Sequence, residues 1–77
     1  MKLSIYGKGC KKCDQLTANA REAAEALGMT VEIEKVTDMN AIIDAGVMNT
    51  PALAIDGELV TEGKVASAEE LETLLKG

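Results

Sequence analysis

The strand-like runs Ala52-Leu53-Ala54-Ile55 and Glu58-Leu59-Val60-Thr61 meet at Asp56-Gly57. Asp-Gly between two such segments is a strong short-range hairpin signal, because the two-residue turn that joins twisted strands needs positive φ at both of its central positions. The later part of the chain is therefore committed to two adjacent antiparallel strands, and whatever precedes them must add to the same sheet or cover it.

Upstream, the hydrophobic period switches repeatedly. Leu3-Ser4-Ile5-Tyr6 reads as a strand. A helix is predicted from about Cys10, with Cys13, Leu16, Ala20, Ala23, Ala24 and Leu27 as its buried stripe and Gly28 placed for the left-handed stop. Thr30 to Lys35 sets Val31 and Ile33 against Glu32 and Glu34, the period of two expected of a strand near a sheet edge. Thr37 or Asp38 caps a short second helix carrying Met39, Ile42 and Ile43 and ended by Gly46. Beyond the hairpin, Ser67 and Glu70 form a capping box ahead of Leu71, Leu74 and Leu75, so the chain closes on a third helix. The order is β-α-β-α-β-β-α. With right-handed crossovers and every helix burying its stripe, it predicts an α/β fold with a four-stranded mixed sheet flanked by three helices.

At 77 residues the chain has room for a single domain, residues 1–77. Its 47% hydrophobic and 27% charged residues fit a folded globular protein and not a disordered one. A net charge of −5 and a single aromatic residue, Tyr6, argue against nucleic acid, which needs a basic stripe and stacking platforms. No long apolar stretch marks export or a membrane, so the cytoplasm is the expected compartment. Thiols are kept reduced there, and a close cysteine pair is more often catalytic or metal-binding than a permanent cross-link.

That pair is Cys10 and Cys13, in Gly9-Cys10-Lys11-Lys12-Cys13, where the first strand gives way to the first helix. The spacing and setting read as a redox motif. Orphan backbone N–H groups and the partial positive charge of a helix start stabilise a thiolate on Cys10, so its pKa should fall. Lys11 and Lys12 act in the same direction and Asp14 against it. Cys10 is then the attacking sulfur, and Cys13, one turn on and facing inward, the resolving one. Tetrahedral zinc wants four Cys or His ligands, and the chain has no His and no third Cys. A metal-binding module or metallochaperone holding Cu(I), or zinc shared between two chains, is the alternative reading of the pair. A dinucleotide fingerprint is lacking, so no cofactor is expected and the electrons must come from a partner.

Pro51, the sole proline, opens an apolar strand instead of breaking it. Beside a redox motif, a cis bond between Thr50 and Pro51 is expected, with Thr50 offering its backbone to an extended substrate segment.

Gly9-Cys10-Lys11-Lys12-Cys13 after the first strand, Asn49-Thr50-Pro51-Ala52-Leu53 opening the third, and the Gly63 loop before the last helix together resemble the thioredoxin and glutaredoxin superfamily, especially its small redox-active disulfide proteins. The resemblance spans nearly the whole chain. It implies a minimal thioredoxin fold and a thiol–disulfide oxidoreductase that reduces protein disulfides and is reloaded by a separate disulfide reductase. By that resemblance Cys10 is the nucleophile and Cys13 the resolving thiol. Gly9, Lys11, Lys12, Thr50, Pro51 and Gly63 would form the substrate-docking surface. A monomer is the simplest expectation. Thioredoxins tend to bury an acid six residues before the first cysteine; this chain has Ser4 there, and Asp14 is read as an exposed first-turn acid.

The remaining features have plainer readings. Gly7-Lys8-Gly9 lacks the spacing of a phosphate loop, and its glycines are expected to permit a tight approach to Cys10. Met39 and Met48 are read as gap fillers in a core without Phe or Trp. Tyr6 lines the rim near the disulfide or packs in the sheet, and Glu32, Glu34, Glu69 and Glu72 read as solvated faces.

Overall fold

The computed structural model describes residues 1–7 and 11–76. Its elements are β1 (Lys2–Tyr6), α1 (Lys11–Ala26), β2 (Glu32–Val36), α2 (Met39–Asp44), β3 (Ala52–Ile55), β4 (Glu58–Glu62) and α3 (Ala68–Lys76). The strands form one sheet in the order β2-β1-β3-β4. β1 runs parallel to β2, with Leu3 opposite Ile33, and antiparallel to β3, with Leu3 opposite Ile55. β3 and β4 are antiparallel. This is the four-stranded mixed sheet with three helices that the element order predicts, and β2 lies at an edge as expected.

Local chemistry sets the element ends. Asp38 caps α2, its carboxylate accepting from the Asn40 backbone N–H. Ser67 Oγ accepts from the Glu70 N–H at 3.2 Å at the start of α3. The hairpin turns through Asp56 at φ 49° and Gly57 at φ 87°, and α1 ends with Gly28 at φ 66°.

Alternation along β1 divides the apolar residues between two cores. Leu3, Ile5 and Leu53 pack with Leu16, Ala20 and Ala23 of α1, Ala66, and Leu71 and Leu75 of α3. Tyr6, Val36, Leu59 and Ala52 pack with Ile42 of α2 and Val47. Each fully buried Leu or Ile contributes about 1.5–3 kcal/mol relative to exposure, so the first cluster, under two helices, carries most of the hydrophobic stabilisation. The alanine stripe of α1 brings that helix close to the sheet. A register shift at Leu53/Ala54 pairs Leu53 with Thr61 and Ala54 with Leu59, leaving Val60 as the extra residue of a bulge.

Three expectations about apolar residues are corrected. Met39 and Met48 do not fill the core; they are 45% and 88% exposed, and Ile43 is 62% exposed. The six residues of α2 make fewer than two turns, and of these only Ile42 is buried. Met48 lies in the loop after α2 and projects outward. Glu72 is half-buried, while Glu32, Glu34 and Glu69 are solvated as expected. Tyr6 packs in the sheet, half-buried against the α2 cluster. Among the described residues, no helix is long and apolar enough to cross a membrane.

Candidate functional site

The site is built where β1 ends, α1 begins and the loop before β3 returns to the sheet. β1 delivers Gly7, whose N–H donates to the Val36 carbonyl at 3.0 Å and extends the β1–β2 pairing by one residue. α1 then carries Lys11 and Lys12 on its exposed first turn and turns Cys13 inward, where it is 4% exposed. The Cys13 carbonyl accepts from the Thr17 hydroxyl at 2.9 Å.

Gly7 and Cys13 are in intimate contact. A Cβ built on Gly7 would fall on Cys13 Sγ, and would lie 3.5 Å from Cys13 Cβ and 3.9 Å from Pro51 Cα. The sulfur therefore occupies the space a side chain at Gly7 would need, with Pro51 beside it. Gly7 makes room for Cys13, and the expected close approach of Gly7 and Gly9 to Cys10 falls outside the described residues. Cys10 and Gly9 lie outside the described residues.

Pro51 is fully buried, and the Thr50–Pro51 peptide bond is cis. Residues 48–50 before it are exposed. They are held from the far side by the end of β4. Glu62 Oε2 accepts from the backbone N–H of Met48 at 2.6 Å and of Asn49 at 2.9 Å. The next residue, Gly63, donates its N–H to the Pro51 carbonyl at 3.0 Å. Gly63 has φ 72°, and a Cβ there would meet Asn49 Cβ at 3.0 Å, so both its conformation and its crowding favour glycine.

Of the residues singled out from sequence, the structure thus brings Cys13 and Pro51 together and sets Gly63 against the same loop. Thr50, Lys11 and Lys12 are exposed around them. Ser4 is buried, 8% exposed, so that position keeps its burial without a carboxylate. Asp14 points outward and pairs with Lys35 at 2.9 Å, as an ordinary first-turn acid does. Among the described residues, no group of three or more His, Cys, Asp and Glu side chains gathers where a metal ion could sit.

Sequence reasoning missed Glu62. It stands at the end of an edge strand, where an acidic residue is ordinary, and its partners are backbone N–H groups, which no side-chain pattern reveals. Gly7 left a fainter signal, a glycine directly after a buried strand and six residues before an inward cysteine.

The family model described as a thioredoxin domain matches residues 1–76. A thioredoxin of Methanothermobacter thermautotrophicus is 49% identical over 75 residues, covering 97% of each chain. A thioredoxin of Methanocaldococcus jannaschii is 46% identical over 74 residues, covering 96% of this chain and 85% of that protein. Among solved structures, a thioredoxin-2 described as a component of malaria parasite protein secretion machinery superimposes with a TM-score of 0.72 at 15% identity, covering 97% of this chain and 80% of that one. A structure described as that of a malarial protein gives 0.69 at 16% identity, covering 97% of this chain and 92% of that one. These two likenesses speak to the fold.

Proposed function

The chain belongs to the thioredoxin family and is a thiol–disulfide oxidoreductase, and on that premise we propose that Cys10 and Cys13 are its dithiol couple. The family implies protein disulfides as substrates and a separate reductase as electron donor. The thioredoxin relatives support the redox reading of the cysteine pair over the metal-binding one.

In the reducing direction the Cys10 thiolate attacks one sulfur of the substrate disulfide, and the other sulfur leaves as a thiolate that takes up a proton. Cys13, losing its proton, attacks Cys10 Sγ in the mixed disulfide and expels the second substrate thiol. Two electrons pass to the substrate, and a Cys10–Cys13 disulfide remains for the reductase to reopen. The observation that carries this assignment is the burial of Cys13 Sγ against Gly7 and beside Pro51. A sulfur so placed is screened from bulk oxidants and from foreign disulfides, which suits a resolving thiol that must react only with its neighbour.

Thr50 and Pro51, with Gly9, Lys11, Lys12 and Gly63, form the docking surface. The exposed stretch 48–50 is placed to meet an extended substrate segment through its backbone. The whole chain works as one thioredoxin-like domain, as a monomer, in the cytoplasm.

The test is reduction of insulin by dithiothreitol with the purified protein as catalyst. Acceleration by the wild type that disappears in both Cys10→Ser and Cys13→Ser is the expected result. Acceleration that survives Cys10→Ser would overturn the assignment.

A further inference from the structure

Glu62 is exposed, yet one of its carboxylate oxygens takes two successive backbone N–H groups, those of Met48 and Asn49. A solvent-facing glutamate with no such partners samples many rotamers; this one is fixed on the loop that leads into Pro51. The following residue adds a second strut, the Gly63 N–H on the Pro51 carbonyl. The end of β4 therefore grips residues 48–51 at three backbone positions, two of them through the Glu62 side chain.

From this geometry we infer that Glu62 is a positioning residue: its carboxylate holds the Met48–Asn49 backbone so that the exposed Met48, Asn49 and Thr50 stay in one conformation for the incoming substrate chain. The inference rests on the proposal that this loop is part of the docking surface. The physical argument is preorganisation. Residues 48–50 are exposed and have no burial of their own to order them, since the flanking buried residues are Val47 and Pro51. Without the grip, ordering the segment falls on the binding step and weakens it. Charge-assisted hydrogen bonds to backbone N–H groups are among the stronger polar contacts available to do this. The geometry requires an acceptor oxygen at this point, since a single oxygen receives both donors, and the carboxylate charge strengthens both bonds. A glutamine side-chain carbonyl keeps the acceptor and loses the charge, so it holds the loop in part.

The test compares Glu62→Ala and Glu62→Gln with the wild type by three measurements on the intact chain: amide hydrogen exchange, the KM and kcat for insulin reduction, and the rate with a small aromatic disulfide that needs no docking. In Glu62→Ala, exchange at Met48 and Asn49 should accelerate about tenfold while the amides of β1 and β3 keep their protection. KM for insulin should rise about threefold or more with kcat nearly unchanged, and the small disulfide should react at the wild-type rate. Glu62→Gln should recover part of both, falling between the alanine variant and the wild type. An unchanged KM in Glu62→Ala overturns the inference, as does a Glu62→Gln variant as impaired as the alanine. Exchange that accelerates across the whole sheet would assign Glu62 to general stability instead. A wild-type protein that fails to reduce insulin in a Cys10-dependent way would overturn the docking proposal itself, and the inference with it; slow exchange at Met48 and Asn49 that depends on Glu62 would then mark the grip as structural only.

Discussion

Cys13 Sγ fills the volume that a side chain at Gly7 would occupy. The end of the first strand and the first turn of the first helix are thereby locked to each other through a sulfur atom, with the Pro51 backbone behind it. A sulfur in such a place has little freedom to move, and any change that crowds it strains the packing between strand and helix.

Gly7→Ala should therefore destabilise the protein by about 1–3 kcal/mol, the usual cost of forcing extra atoms into a packed site. Urea unfolding of the single and double variants gives the check. If the clash with the sulfur is the cause, the cost of Gly7→Ala should be much smaller in a Cys13→Ala background, where only Cβ remains at 3.5 Å. Equal costs in the two backgrounds would place the strain elsewhere.

Thr61 lies opposite Leu53 and is 7% exposed, and its hydroxyl has no hydrogen-bond partner among the described residues. Leaving a polar atom buried and unsatisfied opposes folding. Thr61→Val should raise stability by about 1 kcal/mol, seen as a higher urea midpoint at an unchanged slope. A loss of similar size would mean that the hydroxyl is satisfied in solution.

The third helix offers a pH-dependent test. Lys64, 2.6 Å from the Glu70 carboxylate, holds that carboxyl below its ordinary value of 4.5, and the Ser67 backbone N–H acts in the same direction. A carboxyl whose pKa is lower in the folded state adds stability above its unfolded value and loses it as pH falls through the folded one. Stability should thus drop on acidification below about pH 4.5, and Glu70→Gln should flatten part of that drop while leaving the rest to other carboxylates. Urea midpoints at pH 7 and pH 3 decide it; equal drops in the two proteins would remove Glu70 from the account.

What could be read from the sequence was whatever local backbone chemistry dictates. Asp56-Gly57 demanded a tight turn, Asp38 and Ser67 satisfied orphan N–H groups at helix starts, and the Cys13, Leu16, Ala20, Ala23 and Ala24 stripe could bury itself on only one face. These features placed every strand and helix in order and, with right-handed crossovers, gave the sheet. Less legible was whether a surface exists to cover an apolar residue. Periodicity put Met39 and Ile43 on the same short helix as Ile42, but six residues present little more than one position to the sheet, and the other two face water. The grip of Glu62 on Met48 and Asn49 was invisible for another reason. It joins a side chain to backbone groups across 14 and 13 residues of chain, and backbone donors leave no mark in a sequence. At the site, the inward-facing Cys13 was legible from the helical stripe, whereas the room that Gly7 makes for its sulfur emerged only from the packing.

The most direct test of the central claim is to trap the mixed disulfide. Cys13→Ser, incubated with a disulfide-containing protein and analysed by mass spectrometry without reductant, should accumulate a one-to-one adduct linked through Cys10, and Cys10→Ser should accumulate none. An adduct that forms through Cys13 in the Cys10→Ser protein, or no adduct with either variant under conditions where the wild type turns over, would contradict the assignment of Cys10 as the attacking sulfur and Cys13 as the resolving one.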